Sequence, residues 1–139
     1  MDAKTTWLGD MRLEGTADTG FKLNIDSPAD PAHAPGGFKP TELLAIGACG
    51  CTSMDVISIL KKKKVNFTGL EVKVHVVSET ETHPHVFKQM DFEYIITGKQ
   101  IQREDVERAV QLSETKYCQC IAMLGKTAKI NHTITINEA

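Results

Sequence analysis

The chain has 139 residues, 41% of them hydrophobic and 24% charged, with a formal net charge of -2. Those values describe one ordinary-sized domain and give no electrostatic footprint for nucleic acid or an anionic membrane. At 6%, aromatic residues are too few to suggest a base-stacking platform.

Residues 4–14 read as a first strand whose largest apolar residue is Trp7, followed by a turn over 15–20. Phe21 to Asp26 alternates apolar and polar, which predicts a half-buried strand in a hairpin with the first. The opening residues lack a basic stretch followed by an apolar one, so no signal peptide is expected. Residues 27–37 are dense in Pro, Gly, Ala and Asp and read as a loop.

Pro40 to Lys64 predicts one long helix. Leu43, Leu44, Ile46, Met54, Ile57 and Leu60 recur at three- and four-residue steps. Pro40 suits the first turn and the four lysines suit the last. The middle, Gly47-Ala48-Cys49-Gly50-Cys51-Thr52-Ser53, is almost all small residues. Glycine inside a helix costs about 1 kcal/mol relative to alanine, which implies that something packs closely there. The helix is apolar around much of its girth, so cover from a second subunit is expected. No apolar run is read as reaching the ~18 residues of a membrane span.

A turn over 65–69 leads to a strand in which Leu70, Val72, Val74 and Val76 share a face. A polar turn (78–85) and a strand from Val86 to Thr97 follow, with Met90, Phe92, Tyr94 and Ile96 on one side. Arg103 to Lys116 predicts a second helix with Val106, Ala109, Val110 and Ser113 inward and a Glu104–Arg108 pair. Tyr117 to Leu124 predicts a short third helix stopped by Gly125. Ile130, His132, Ile134 and Ile136 alternate in a last strand. The order β-β-α-β-β-α-α-β argues an α+β fold in a single domain over 1–139, with antiparallel pairing.

Chemistry resides in two Cys-x-Cys pairs, Cys49/Cys51 and Cys118/Cys120. The expected compartment is the cytosol, where structural disulfides are rare. A four-thiolate zinc site is disfavoured because i and i+2 lie ~200° apart on a helix. Two readings stay level on spacing alone. One is a redox pair with a cysteine from each helix, Cys51 and Cys118, the latter with a thiol pKa lowered at a helix start. The other treats the cysteines as small hydrophobes. Asp55 follows Cys51 by four residues on the same face, where a carboxylate would oppose a thiolate unless paired. Lys61 to Lys64 read as a solvated helix end, His83-Pro84-His85 as polar turn surface, and His75 and His132 as structural.

The segment Pro40-Thr41-Glu42-Leu43-Leu44, with Gly47 to Lys61, resembles the central helix of the OsmC/Ohr family. His83 to Phe87 leading into the strand that ends Thr97-Gly98, and Arg108 to Cys118, resemble further family segments. The resemblance spans essentially the whole chain and favours the OsmC-like branch, with Lys-Tyr before the second cysteine. It implies an intertwined homodimer in which two antiparallel sheets enclose long central helices. It also implies a cytoplasmic thiol-dependent hydroperoxide reductase with no cofactor, needing a hydroperoxide substrate and an external dithiol reductant, of lipoyl type in the Ohr branch. By position, Cys51 is peroxidatic and Cys118 resolving, joined by a disulfide during turnover; Cys49 and Cys120 match neither position. Members carry a glutamate directly after the helix proline that pairs with an arginine. Here that position is Thr41, with Glu42 one step on, and Arg12 lies near the arginine's region. Arg12 and Glu42 are therefore the candidate thiolate-activating pair. Two other readings stand beside this one: a non-catalytic dimer that binds an apolar small molecule at its interface, and a redox or metal sensor that uses all four thiols.

Overall fold

A computed structural model describes all residues, 1–139, and they divide into two compact units, Met1–Leu44 and Ala45–Ala139.

The N-terminal unit holds strands β1 (Ala3–Gly9), β2 (Arg12–Ala17) and β3 (Lys22–Asp26), all antiparallel. The single strand expected over 4–14 is two strands. Gly9 and Asp10 both take positive φ (108° and 48°), which reverses the chain, and the Trp7 indole N–H closes the turn on the Asp10 carbonyl at 2.8 Å. Residues 15–17, expected in a turn, continue β2. Register places Thr5, Gly15 and Leu23 side by side, with Trp7, Leu13 and Ile25 beside them, so one face is apolar. That face carries a groove of about 530 Å³ lined by Gly15, Phe21, Leu23, Ile25 and Leu43. Trp7 and Phe21 are 70% and 85% exposed. A three-stranded sheet becomes stable when its apolar face is covered, so this unit carries surface that asks for a partner.

Helix α1 (Pro40–Lys62) starts with Pro40 after Lys39, whose N–H donates to the Glu42 carboxylate at 2.7 Å, half of a capping box. It ends two residues earlier than expected. Lys64 takes a left-handed conformation (φ 58°), and the Val65 N–H donates back to the Leu60 carbonyl at 3.0 Å.

In the C-terminal unit, β4 (Phe67–Ser78), β5 (Phe87–Gly98) and β6 (Lys129–Glu138) form a sheet in that order. β4 and β5 are antiparallel, as expected. β5 and β6 are parallel, against the all-antiparallel expectation. The reason lies in the connection: residues 99–128 carry α2 (Arg103–Leu112), a π-helical turn (Ser113–Tyr117) and α3 (Gln119–Leu124), a crossover long enough to bring the chain back in the same direction. The predicted inner stripe holds, for Val106, Ala109, Val110 and Ser113 are buried. The Glu104–Arg108 pair is replaced by Arg103–Glu107 at 3.9 Å, and Arg108 donates to Gln111.

The core brings Ala48, Val56 and Leu60 of α1 together with Met90, Phe92, Tyr94 and Ile96 of β5 and the α2 stripe. The close approach expected at Gly47 and Gly50 is absent within the chain: a Cβ at either would meet nothing within 4 Å. Ile46 and Met54 are 51% and 74% exposed on the same side of the helix. The small residues that pack are instead Ala48 and Thr52. By length and composition α1 could also cross a membrane, with a mean hydropathy of 1.8 over its most apolar window, contrary to the expectation that no run reaches a span. Leu, Ile and Val supply most of that hydropathy, and Ala48, Thr52, Val56 and Leu60 give the helix a buried face against the core.

A candidate dithiol centre at the joint of α1 and α3

Cys51 lies in the middle of α1. Cys118 lies between the π-helical turn and α3, in extended conformation (φ -75°, ψ 106°), as the N-cap of α3. Its Sγ accepts the Ile121 N–H at 3.4 Å, and its own N–H donates to the Ser113 carbonyl at 2.8 Å. Because Cys118 precedes the helix, the 200° separation expected of i and i+2 does not apply. Both Cys118 and Cys120 therefore reach the Cys51 thiol.

The Cys51 sulfur, the Cys118 sulfur and an Asp55 carboxylate oxygen all lie within 4.8 Å of one another. All four cysteines are free thiols. Cys49 belongs to another side of α1 and is half-buried against the core, as a small hydrophobe would be.

The two central thiols titrate in opposite directions. Burial raises the pKa of Cys51, but the Cys120 N–H, the thiols of Cys118 and Cys120, and the Gln119 N–H outweigh it and hold it below its ordinary value. Burial pushes Cys118 up to about 12; the Ile121 N–H opposes this and the neighbouring Cys51 reinforces it. The lowered thiol expected at Cys118 is thus a correction. A single capping N–H does not offset a side chain only 2% exposed, and the donors of α3 act on Cys51 instead. Burial likewise raises Cys49 and Cys120, the latter also through the charge of Cys51.

The arrangement sets two free thiols of unequal acidity side by side, with a carboxylate in reach. The same three groups, Cys51, Cys118 and Asp55, are close enough to share a metal ion.

Arg12 and Glu42 belong to the N-terminal unit. Arg12 pairs in register with Asp26, and its guanidinium lies beside Gly9. Glu42 is the cap of α1 described above, and no ion pair joins the two. Glu42 therefore has a structural task that the spacing of the helix start (Lys39, then Glu three residues later) already encoded.

Sequence reasoning missed a buried polar file beside the thiols. Ser113 Oγ donates to Asp55 Oδ2 at 2.9 Å, and Thr52 Oγ1 lies 2.8 Å from both Ser113 Oγ and Tyr94 OH. Tyr94 OH lies 3.3 Å from Glu114 Oε1, and Glu114 Oε2 is 2.9 Å from His132 Nδ1. Tyr94 is pushed well up by burial and keeps its phenolic hydrogen; Thr52 lowers it slightly, and the charge of Glu114 raises it further. His132, expected to be structural, is the outer end of this file.

A two-sheet α+β fold with a thiol pair set between a long central helix and a capped short one defines a class of thiol-centred proteins. The family model described as OsmC-like protein matches residues 32–133, and this chain belongs to that family. It is 31% identical to the protein YhfA of Escherichia coli over 139 residues, covering 100% of both chains. Its fold is similar to that of an OsmC-like protein from Mycoplasma pneumoniae (TM-score 0.83, 18% identity, 98% and 96% of the two chains). It is also similar to the organic hydroperoxide resistance protein OhrB of Bacillus subtilis (TM-score 0.67, 19% identity, 97% and 98%).

Proposed function

We propose that this protein is a cysteine-based reductase of organic hydroperoxides, with Cys51 as the peroxidatic and Cys118 as the resolving residue. The observation that carries the reading is the placing of two free thiols, Cys51 and Cys118, with their sulfurs within 4.8 Å of each other. Cys51 is primed as thiolate, and Cys118 keeps its hydrogen and donates it to the Cys51 sulfur. Membership of a family whose relatives include hydroperoxide resistance proteins supports the same chemistry.

The thiolate attacks the distal oxygen of the hydroperoxide. The S–O bond forms, the O–O bond breaks, and the alcohol leaves with one added proton. Sulfur loses two electrons and becomes a sulfenic acid. Cys118 then attacks that sulfur, water leaves, and a Cys51–Cys118 disulfide forms. An external dithiol restores both thiols by exchange. Backbone N–H groups at the start of α3 hold the thiolate.

The working unit is a homodimer acting in the cytosol. Support comes from the uncovered apolar face of β1–β3 and from the open space at Gly47 and Gly50 next to Ile46 and Met54. Those glycines leave room for a second backbone at the distance that helix packing through small residues requires.

The test is to mix reduced protein with cumene hydroperoxide and count free thiols. Loss of two thiols per chain, abolished in Cys51→Ser, is the expected result. No thiol loss with the wild-type protein removes the proposal.

A further inference from the structure

The buried polar file has a shortage that can be counted. Between the Asp55 and Glu114 carboxylates stand three hydroxyls, those of Ser113, Thr52 and Tyr94. They make four successive contacts, at 2.9, 2.8, 2.8 and 3.3 Å. Each hydroxyl has one hydrogen to donate. With both carboxylates ionised, four contacts share three hydrogens, and one contact is left with two acceptors facing each other. Thr52 and Ser113 are fully buried, and an unmade bond in such a place is costly. One additional proton completes the file. It can sit at the Asp55 end, with every hydroxyl donating toward Glu114. It can equally sit at the Glu114 end, with every hydroxyl donating toward Asp55.

Those two arrangements differ by the transfer of one proton along the file. The inner end lies within 4.8 Å of both catalytic sulfurs. At the outer end, Glu114 is bonded to His132, whose side chain is 35% exposed and borders an open groove on the α2–β6 surface. The reaction above has an unfilled need at the inner end, since the departing alkoxide must take up a proton as it leaves.

We propose that Asp55 is the general acid of hydroperoxide cleavage, and that His132 resupplies its proton through Glu114, Tyr94, Thr52 and Ser113. The inference rests on the reading of Cys51 as the peroxidatic thiol. In the step, the Cys51 thiolate takes the distal OH of the hydroperoxide and becomes the sulfenic acid. The O–O electron pair leaves with the alkoxy oxygen, which takes the Asp55 proton and departs as alcohol. Asp55 is left as carboxylate. Ser113, Thr52 and Tyr94 then turn their hydrogens inward, a proton passing from solvent through His132 fills the outermost contact on Glu114, and a shift of one hydrogen along each of the four contacts moves that proton from Glu114 to Asp55, with the hydroxyls again donating outward.

The test uses full-length protein, tert-butyl hydroperoxide and dithiothreitol. It compares kcat/KM for peroxide in the wild type, Asp55→Asn, Asp55→Ala, Tyr94→Phe and His132→Gln. The rate of Cys51 alkylation by iodoacetamide is followed in parallel as a measure of fold and thiolate. General acids contribute about 10²–10⁴-fold, so Asp55→Asn is expected to lose about 100-fold or more. Formate restores part of the loss in Asp55→Ala. Tyr94→Phe and His132→Gln lose roughly tenfold, less than loss of the acid itself because Asp55 stays in place, and imidazole restores only His132→Gln. Alkylation rates stay at the wild-type value throughout. Asp55→Asn within twofold of an active wild type overturns the acid. Full activity in Tyr94→Phe and His132→Gln, or a loss in His132→Gln that imidazole leaves untouched, overturns the proton route. A wild-type protein that consumes no peroxide fails differently: it removes the peroxidase reading first and the acid's task with it.

Discussion

Cys51 and Cys118 lie with their sulfurs within 4.8 Å, one held below the ordinary thiol range and the other raised to about 12. The pair is asymmetric before any substrate arrives. Removing either member should therefore have different consequences. Cys51→Ser should abolish peroxide-dependent thiol loss. Cys118→Ser should still oxidise at Cys51 but accumulate sulfenic acid that dimedone traps. Because Cys120 also reaches Cys51, a slower Cys51–Cys120 disulfide should appear in the Cys118→Ser protein on peptide mass spectrometry.

The shifts have a consequence for stability in alkali. Cys118 binds its proton more tightly folded than unfolded, and so does Tyr94. The unfolded chain releases these protons first, so the folded state loses relative stability as pH rises from the ordinary thiol value of 9.0 toward about 12. The urea midpoint should fall across that window, and less steeply in Cys118→Ala. Cys51 acts in the opposite sense. Its lowered value favours the fold above the ordinary thiol range, and that contribution is lost as pH falls through its folded value. Its alkylation rate should accordingly reach half-maximum at lower pH than that of a free cysteine.

Thr52 is fully buried and stands 2.8 Å from two other hydroxyls. Thr52→Val keeps the shape and deletes the oxygen, leaving Tyr94 and Ser113 short of a partner. The expected cost is about 1–3 kcal/mol in urea denaturation. Thr52→Ser, which keeps the oxygen, should retain most of that difference.

Met54 is 74% exposed on an apolar helix face next to open glycines. If that face joins two copies, Met54→Glu should shift the protein from dimer to monomer in light scattering. A wild-type protein that is monomeric at micromolar concentration defeats the assembly reading.

Much of the C-terminal unit was legible because its signals are local. Period-two alternation marked β4 and the inner face of β5, and the 3.6 period marked α2. The parallel pairing of β6 was not legible, since local alternation carries no strand direction; the crossover decides it. β1 and β2 merged in the reading because Gly9 and Asp10 turn the chain without the usual Asn-Gly or Asp-Gly signal. At the centre, family resemblance singled out Cys51 and Cys118, and helical spacing placed Asp55 on the face of Cys51. The hydroxyl file escaped detection because Thr52, Tyr94, Ser113 and His132 come from four separate elements and only tertiary packing aligns them.

Cys118 is both a proposed redox thiol and the cap of α3, its sulfur holding the Ile121 amide at 3.4 Å. The same sulfur faces the Cys51 thiol, and the consequence to test is that bonding to Cys51 draws it off that amide. Each oxidation would then unfasten the first turn of a six-residue helix, and each reduction would fasten it again. The backbone would thus keep a record of the redox state, readable as faster deuterium uptake at Ile121 in the oxidised protein. A reductant docking beside α3 would meet a loosened surface only when there is a disulfide to reduce.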